Sequence, residues 1–395
     1  MTTAAPITNL RVHVYGTQGS GSIFPSRAER LAIQRRSDRD LLLRVFEDIA
    51  ARALPDGRLG VSVDDLIGGP LTPRTVAAYA ERFDVPEPRV YGGWTTCLWI
   101  ETADGYDIVL DCGSGFRNCA RDLQAKWGSR PERHLYLFGS HSHLDHTEGF
   151  DQAAVCFDPR NHLHIHGNEQ FLRALDYNLG IFTRQVARSA QGVQTPIFFG
   201  VMPATFHACT IGPVTPADID DRPALGDHRH DLADPIRLGA TTITAFEVFH
   251  PAPCLAYRIE HGGRVMVFCT DHELRHGDSS HADWHASRAA EARLVEHATG
   301  ADLLYRDGQY LRAEYDGVQG IGSSGAIPRV GWGHSTIEDV IEMSETCRVR
   351  HTLIGHHDPN REWAERNWLD ESLVRRTTGT DRRIELARAE TTFDL

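Results

Sequence analysis

From Leu10 to Tyr15 the chain alternates, with Leu10, Val12 and Val14 set against Arg11, His13 and Tyr15. A period of two is the pattern of a strand with one buried face. Runs that alternate or are rich in β-branched residues recur at Cys97–Glu101, Tyr106–Asp111, His134–Phe138, His162–His166, Thr241–Phe249, Leu255–Glu260, Arg264–Thr270, Asp302–Tyr305 and His351–Ile354. Turn pairs such as Asp104-Gly105 and Gly262-Gly263 separate them. Helical spacing predicts helices at Asp283–Thr299 and Thr336–Cys347. Early strands, a helix, then more strands and helices predict an α/β fold of two sheets with helices packed outside.

Residues 23–90 break this rhythm and read as an inserted helical segment within one domain spanning residues 1–395. Ser37 and Asp40 have the spacing of a capping box, and Leu42, Val45, Phe46, Ile49 and Ala53 follow on one helical face. A second helix is expected from Thr72, with Pro73 in its first turn, where a missing N–H costs nothing. The segment would serve as a lid, a dimer arm or padding, and Val85-Pro-Glu-Pro reads as a rigid link back to the body. Residues 202–238, rich in Pro and Asp, read as a long loop carrying Asp227-His228-Arg229-His230-Asp231. His162, His164 and His166 fall on one strand face, expected to be wet. The sequence shows no internal repeat.

The composition is that of an ordinary globular protein, 41% hydrophobic and 24% charged, in a chain of 395 residues. The net charge of −13, from 54 acidic and 41 basic residues, argues against nucleic acid and anionic membranes as partners and favours a small substrate. Eight cysteines without a C-x-x-C pair, several inside apolar runs, read as buried thiols in a reducing compartment. No charged-then-apolar leader opens the chain, and no apolar stretch reaches membrane-spanning length, so a cytoplasmic location is expected.

The densest chemistry is His141-Ser142-His143-Leu144-Asp145-His146, straight after the apolar run Leu135–Phe138. A short loop leaving a strand can aim three imidazoles and a carboxylate at one point, and those donors suit zinc and similar divalent ions. Other ligand-type residues also end strands: His250, Asp271, and the pair His356 and His357. Four such clusters can converge on one edge of a sheet sandwich.

With these pieces assembled, the chain resembles the metallo-β-lactamase superfamily. It is most similar to the phosphodiesterase-like branch, which includes cyclic-nucleotide phosphodiesterases and tRNA 3′-processing endonucleases of the tRNase Z type. The resemblance runs from Val12 to about Asn360. It rests on Val14-Tyr-Gly-Thr-Gln-Gly-Ser-Gly-Ser22, Tyr91-Gly-Gly-Trp-Thr-Thr-Cys97, Asp111-Cys-Gly-Ser-Gly115, the His141–His146 run, Phe249-His250-Pro251, Thr270-Asp271, Gly333-His-Ser-Thr336 and His356-His-Asp-Pro359. It implies a four-layer αββα metallo-β-lactamase sandwich carrying the inserted helical segment near its N-terminus.

The resemblance also implies roles. His141, His143 and His250 would hold one metal; Asp145, His146 and His356 the other; Asp271 would bridge them. His356 is preferred to His357 because it lies 22 positions after His334. Asp111 would orient the ligand loop. The ions would be two divalent metals, zinc first, with manganese and iron as alternatives. Asp145 and His334 are the candidates for catalysis, His334 as the group that protonates or steadies the leaving oxygen. His357, Arg306 and Trp94 are candidates for substrate contact. Trp94 and Arg306 depart from the branch pattern, where Asn and His are frequent, and Arg306 reads either as a phosphate-binding cation or as an ion pair with Asp307.

The implied activity is a metal-dependent phosphodiesterase acting on a small nucleotide, cyclic ones included. Lactone, ester or amide hydrolysis is the alternative on the same ligand set, as is a tRNA 3′-processing-like endonuclease, although no basic Gly-rich arm is found. A non-enzymatic nucleotide-binding protein is a third class, against which the full ligand set argues. A homodimer is compatible with the branch, with the inserted helices as its contact.

Overall fold

The structure, a computed structural model, describes residues 7–85, 89, 91–185, 197–212, 225, 228–277 and 279–395. In chain order it runs β1 (Leu10–Gly16), α1 (Arg27–Ala51), α2 (Val63–Ile67), α3 (Pro73–Ala80), β2 (Cys97–Thr102), β3 (Asp107–Leu110), α4 (Phe116–Trp127), β4 (Arg133–Phe138), β5 (Asn161–Gly167), α5 (Glu169–Leu179), β6 (Thr205–Ile211), β7 (His228–His230) and β8 (Ile236–Leu238). It continues with β9 (Thr241–Val248), β10 (Cys254–His261), β11 (Arg264–Cys269), α6 (Ala282–Ala298), β12 (Leu303–Asp307), α7 (Arg312–Tyr315), α8 (Ile337–Cys347), β13 (His351–Gly355), α9 (Trp363–Thr377), β14 (Arg383–Leu386) and β15 (Thr391–Asp394).

These strands form two sheets, ordered β15-β1-β2-β3-β4-β5-β6-β7 and β14-β13-β12-β11-β10-β9-β8. Alternation decides which face each side chain joins. Val12, Val14, Ile100, Ile108 and Phe138 meet Ile243, Leu255, Tyr257, Phe268 and Tyr305 in a dry core between the sheets. The other face of the first sheet offers Trp99, Val109, Leu135 and Ile165 to Phe116, Leu123 and Trp127 of α4 and to Phe171 and Leu175 of α5. The outer face of the second sheet packs Val267, Cys269 and Leu304 on Leu294 and Ala298 of α6 and Met343 of α8, while Ile354 and Ile384 meet Leu369 and Leu373 of α9. The layers are therefore helix, sheet, sheet, helix, as expected. All eight cysteines are buried and free. Among the described residues no helix is long and apolar enough to cross a membrane.

Residues 25–90 pack among themselves as a second compact unit, around Leu66, Ile67 and Tyr79 with Val45, Ile49, Leu59 and Phe83 against them. Ser37 is not a cap. It lies inside α1, which starts ten residues earlier in a box where Ser26 Oγ accepts from Glu29 N and Ser26 N donates to Glu29 Oε2. The reciprocal bonds at Ser26 satisfy the orphan donors there, so the helix continues through Ser37. The Pro86–Pro88 part of the expected link lies outside the described residues.

The expected loop over 202–238 contains three strands, β6, β7 and β8. Parallel pairing of β6 with β5 in the same sheet and burial of Ala208, Cys209 and Ile211 outweigh the surrounding Pro and Asp. Residues 213–224, 226 and 227 lie outside the described residues, Asp227 included. The His162–His166 face is drier than expected. His164 stacks on Tyr136 and His207, and His166 is buried on Phe138 at 4.6 Å between centroids.

Candidate metal centre

Strand ends supply the site. After β3, Asp111 takes a left-handed backbone (φ 57°), and its carboxylate accepts from Ser140 N at 2.6 Å, Ser140 Oγ at 2.8 Å and His146 Nδ1 at 2.7 Å. One buried carboxylate thus ties the end of β3 to the loop that leaves β4. Within that loop a single 3-10 turn, Leu144–His146, turns Asp145 and His146 inward. His250 follows β9, Asp271 follows β11 and His356 follows β13, the last with φ 55°. A left-handed residue other than Gly or Asn costs energy and persists where its surroundings dictate it.

Asp271 sits at the middle. Its Oδ2 lies 3.4 Å from His141 Nε2 and 3.7 Å from His250 Nε2, while Oδ1 lies 3.3 Å from His146 Nε2 and 3.2 Å from His356 Nε2. The two oxygens face two different groups of donors. His141, His143, His250 and Asp271 can close around one ion, and Asp145, His146 and His356 around another. Asp145 Oδ2 is 3.4 Å from His146 Nε2 and 3.2 Å from His356 Nε2, and also accepts from Ser20 N at 2.8 Å.

The rings fit a metal on their inner edge. Each of four imidazoles has a partner on Nδ1: Ser140 Oγ for His141 at 3.1 Å, Asp111 for His146, the Ala252 carbonyl for His250 at 3.0 Å and Gln309 Oε1 for His356 at 3.1 Å. At His141, His146 and His356 those bonds put a proton on Nδ1 and turn Nε2 to the cluster, the arrangement of metal-binding histidines, while His250 Nδ1 faces both the carbonyl and the N–H of Ala252. The Nε2 atoms of His141, His146 and His250 are sealed from solvent with no hydrogen-bond partner. Three buried ring nitrogens without hydrogen-bond partners, gathered on a carboxylate, are costly unless a cation joins them.

Electrostatics agree. Burial, then the neighbouring rings, push His141 well below the ordinary histidine value, and burial takes His250 down to about 4, so both rings are neutral, as a metal ligand must be. At His146 burial is outweighed by Asp271, Asp145 and Asp111, which hold the ring protonated; a divalent cation on Nε2 would displace that proton.

His334 stands beside this cluster. Its ring stacks on His356 at 4.6 Å, and its Nδ1 is 3.0 Å from Asp307 Oδ2 and 3.8 Å from Asp271 Oδ2. Burial opposes a charge on the ring, but Asp307, then Asp271 and Asp145, push its pKa up to about 9. Glu273, fully buried, fixes the approach to His334 by accepting from Gly331 N at 2.8 Å and Gly333 N at 3.0 Å. Gly333 (φ 96°) presses on His250: a Cβ there would fall 2.3 Å from its ring.

Two expected substrate contacts are placed elsewhere. Arg306 is fully buried and turned to α6, bonding Glu291 at 3.0 and 2.7 Å; its partner is neither a ligand nor Asp307. The alternation of β12 requires this, because Asp307 next to it points at His334. His357 is buried, with Nε2 bonded to the Ala387 carbonyl at 2.8 Å and its pKa taken down to about 3 by burial and Arg366. Of the two adjacent histidines, His356 reaches the cluster. Trp94 is half-buried, its ring edge-on to Phe24 at 4.7 Å. Sequence reasoning missed the parts played by Asp307, Gln309 and Glu273. Asp307 ends a strand just as Asp271 does, and that position was its readable signal.

A family model described as the beta-lactamase superfamily domain matches residues 106–357. Among solved structures, the chain is similar to the metallo-beta-lactamase fold protein YhfI from Bacillus subtilis, at 13% identity over 98% of this chain and 99% of that one, with a TM-score of 0.45. It is similar to human tRNase Z, short form, at 14% identity over 97% and 98%, with a TM-score of 0.48. It is similar to Zn(2+)-bound PqqB from Methylobacterium extorquens at 12% identity over 98% and 100%, with a TM-score of 0.49. No curated protein matches. The family match covers more than half of the chain, and the described residues gather His and Asp donors at its strand ends: the chain belongs to the metallo-β-lactamase superfamily.

Proposed function

We propose that the protein is a divalent-metal-dependent phosphodiesterase acting on a small phosphodiester, with nucleotides, cyclic ones included, as the first class to test. The observation that carries this reading is His334, a buried imidazole held by Asp307 and set beside Asp271 and His356. His141, His143 and His250 would hold one ion and Asp145, His146 and His356 the other, with Asp271 shared. Nitrogen-rich donors favour zinc, and manganese or iron remain compatible. Bound there, the ions would supply Lewis acidity, lowering the pKa of water and polarising a phosphoryl oxygen.

The chain's own residues account for the other half of the reaction. Expulsion of an alkoxide needs a proton, and Asp307 on Nδ1 leaves Nε2–H of His334 to give it. Cations on the cluster would offset Asp271 and Asp145, but Asp307 remains to keep the ring charged. Asp145 is steadied by Ser20 N, which fixes the carboxylate within its donor group. A small substrate accords with the net charge of −13.

The test is metal analysis coupled to turnover of cAMP, bis(p-nitrophenyl) phosphate and a homoserine lactone, repeated on His334→Ala. Diester turnover lost with metal retained supports the reading. Lactone turnover alone refutes it. Because Asp271, His334 and His356 also lie within ligand distance of one another, metal lost from His334→Ala would make His334 a ligand instead.

A further inference from the structure

Five arginines are buried among the described residues: Arg133, Arg306, Arg329, Arg361 and Arg366. Four have clear partners. Arg133 bonds Asp158, Arg306 bonds Glu291, Arg361 bonds Glu314 and Arg366 bonds the Asp358 carbonyl. Arg329 differs. Its side chain is 5% exposed; its Nε, like those of Arg306 and Arg366, is sealed without a partner, but unlike theirs its terminal nitrogens are not anchored, the nearest carboxylate oxygen, Asp358 Oδ2, being 3.9 Å away, beyond hydrogen-bond reach. That oxygen already accepts from Gln309 Nε2 at 3.0 Å, and the other accepts from Asn360. A guanidinium has five donors, and leaving a buried one unmet is expensive.

The surroundings are built rather than loose. The guanidinium carbon lies over two rings, 4.6 Å from the Trp332 centroid and 5.5 Å from that of Tyr310. A guanidinium packed on aromatic rings still offers its N–H edge to a ligand. The Tyr310 hydroxyl is also buried without a partner. Burial raises its pKa far above the ordinary value although Arg329 opposes this, so it stays a donor. Tyr310 in turn sets its ring edge-on to His334 at 5.9 Å, so one aromatic ring separates the guanidinium from the catalytic candidate.

We propose that Arg329 and Tyr310 form an oxyanion site beside the metal centre, which binds a phosphoryl or carboxylate group of the substrate remote from the scissile bond. This rests on the phosphodiesterase reading for its catalytic meaning, but not for the binding itself. A planar fork and a hydroxyl match two oxygens of one tetrahedral or planar anion. Asp358 sets the limit: its charge weakens a lone anion there, so the group is held best as part of a substrate anchored elsewhere.

The test titrates full-length, zinc-loaded protein calorimetrically with inorganic phosphate and, separately, acetate. His250→Ala removes a metal ligand and so suppresses anion binding through cations. The site predicts that His250→Ala still binds phosphate or acetate, and that adding Arg329→Met weakens this at least tenfold and Tyr310→Phe about threefold. The tighter of the two probes identifies the anion. Unchanged binding in Arg329→Met, or complete loss in His250→Ala alone, overturns the proposal. Should Arg329→Met fail to fold, Arg329→Lys decides, since a point charge cannot replace the fork; binding equal to wild type overturns it. For catalysis, thymidine 3′-(p-nitrophenyl phosphate) is compared with and without a 5′-phosphate. Arg329→Met should raise KM at least tenfold for the 5′-phosphorylated diester alone, with kcat unchanged, an effect that a merely structural arginine would not produce. Anion binding at Arg329 without turnover of either diester would refute the phosphodiesterase reading and leave the site standing.

Discussion

Replacing Glu291 by Gln separates a buried structural cation from a substrate-binding one. Arg306 is fully buried, and Glu291 accepts from both of its terminal nitrogens and from His272 Nε2 at 2.9 Å. Removing the carboxylate's charge leaves a guanidinium without a counter-ion, a loss of about 3–5 kcal/mol. The carboxyl's own titration offers an independent measure. Burial raises its pKa, but Arg306 and His272 outweigh burial and hold it at about 2, against an ordinary 4.5. At about 1.36 kcal/mol per pH unit, that gap is worth about 3 kcal/mol. For 395 residues, at about 2.1 cal/mol/K each, this is a drop in Tm of about 4 °C. The folded pKa is depressed, so the stabilisation is complete above the unfolded value near 4.5 and is lost as pH falls toward 2. Scanning calorimetry at fixed zinc should therefore show the wild-type advantage over Glu291→Gln at pH 7 and a narrowing gap below pH 4.5. The neutral pair Arg306→Met with Glu291→Leu should recover most of the loss. A gap under 1 °C, or Arg306→Met that keeps Tm while raising KM for a phosphodiester, would refute the assignment of Arg306 to the helix layer.

Three further outcomes follow from the site. Asp111→Asn removes the acceptor shared by His146 and Ser140 and should lower metal affinity about 10–100-fold, read by competition with a chelator. Gly333→Ala should reduce metal occupancy through His250, because its Cβ collides with that ring and its φ of 96° disfavours a side chain; normal metal content would show that the loop yields freely. Asp307→Asn should keep the metal yet lower kcat by about 10–100-fold, since an amide cannot hold the His334 ring charged; unchanged kcat would remove His334 from proton transfer.

What could be read in advance follows from how each residue is constrained. The His141–His146 run was legible because one loop must supply several ligands at fixed spacings, and His250, Asp271 and His356 because each ends a strand pattern. The strand alternation also contained the answer for Arg306. Leu303 and Tyr305 face the inter-sheet core and Leu304 faces α6, so Arg306 shares the face of Leu304 while Asp307 turns to the site. A family-pattern comparison that treats Arg306 as a substituted site residue overlooks this period. β7 and β8 were hidden because an edge strand needs little apolar sequence once a neighbour pairs with it. Arg329 was invisible for a different reason. It lies in a Gly-rich stretch with no period, and it draws its meaning from Tyr310, Trp332 and Asp358, which only the fold brings to it. Ligand loops announce themselves because metal chemistry restricts residue type locally. A substrate-anchoring cation is restricted only by what remains unpaired around it, so specificity on a shared fold has to be sought among buried charges without partners.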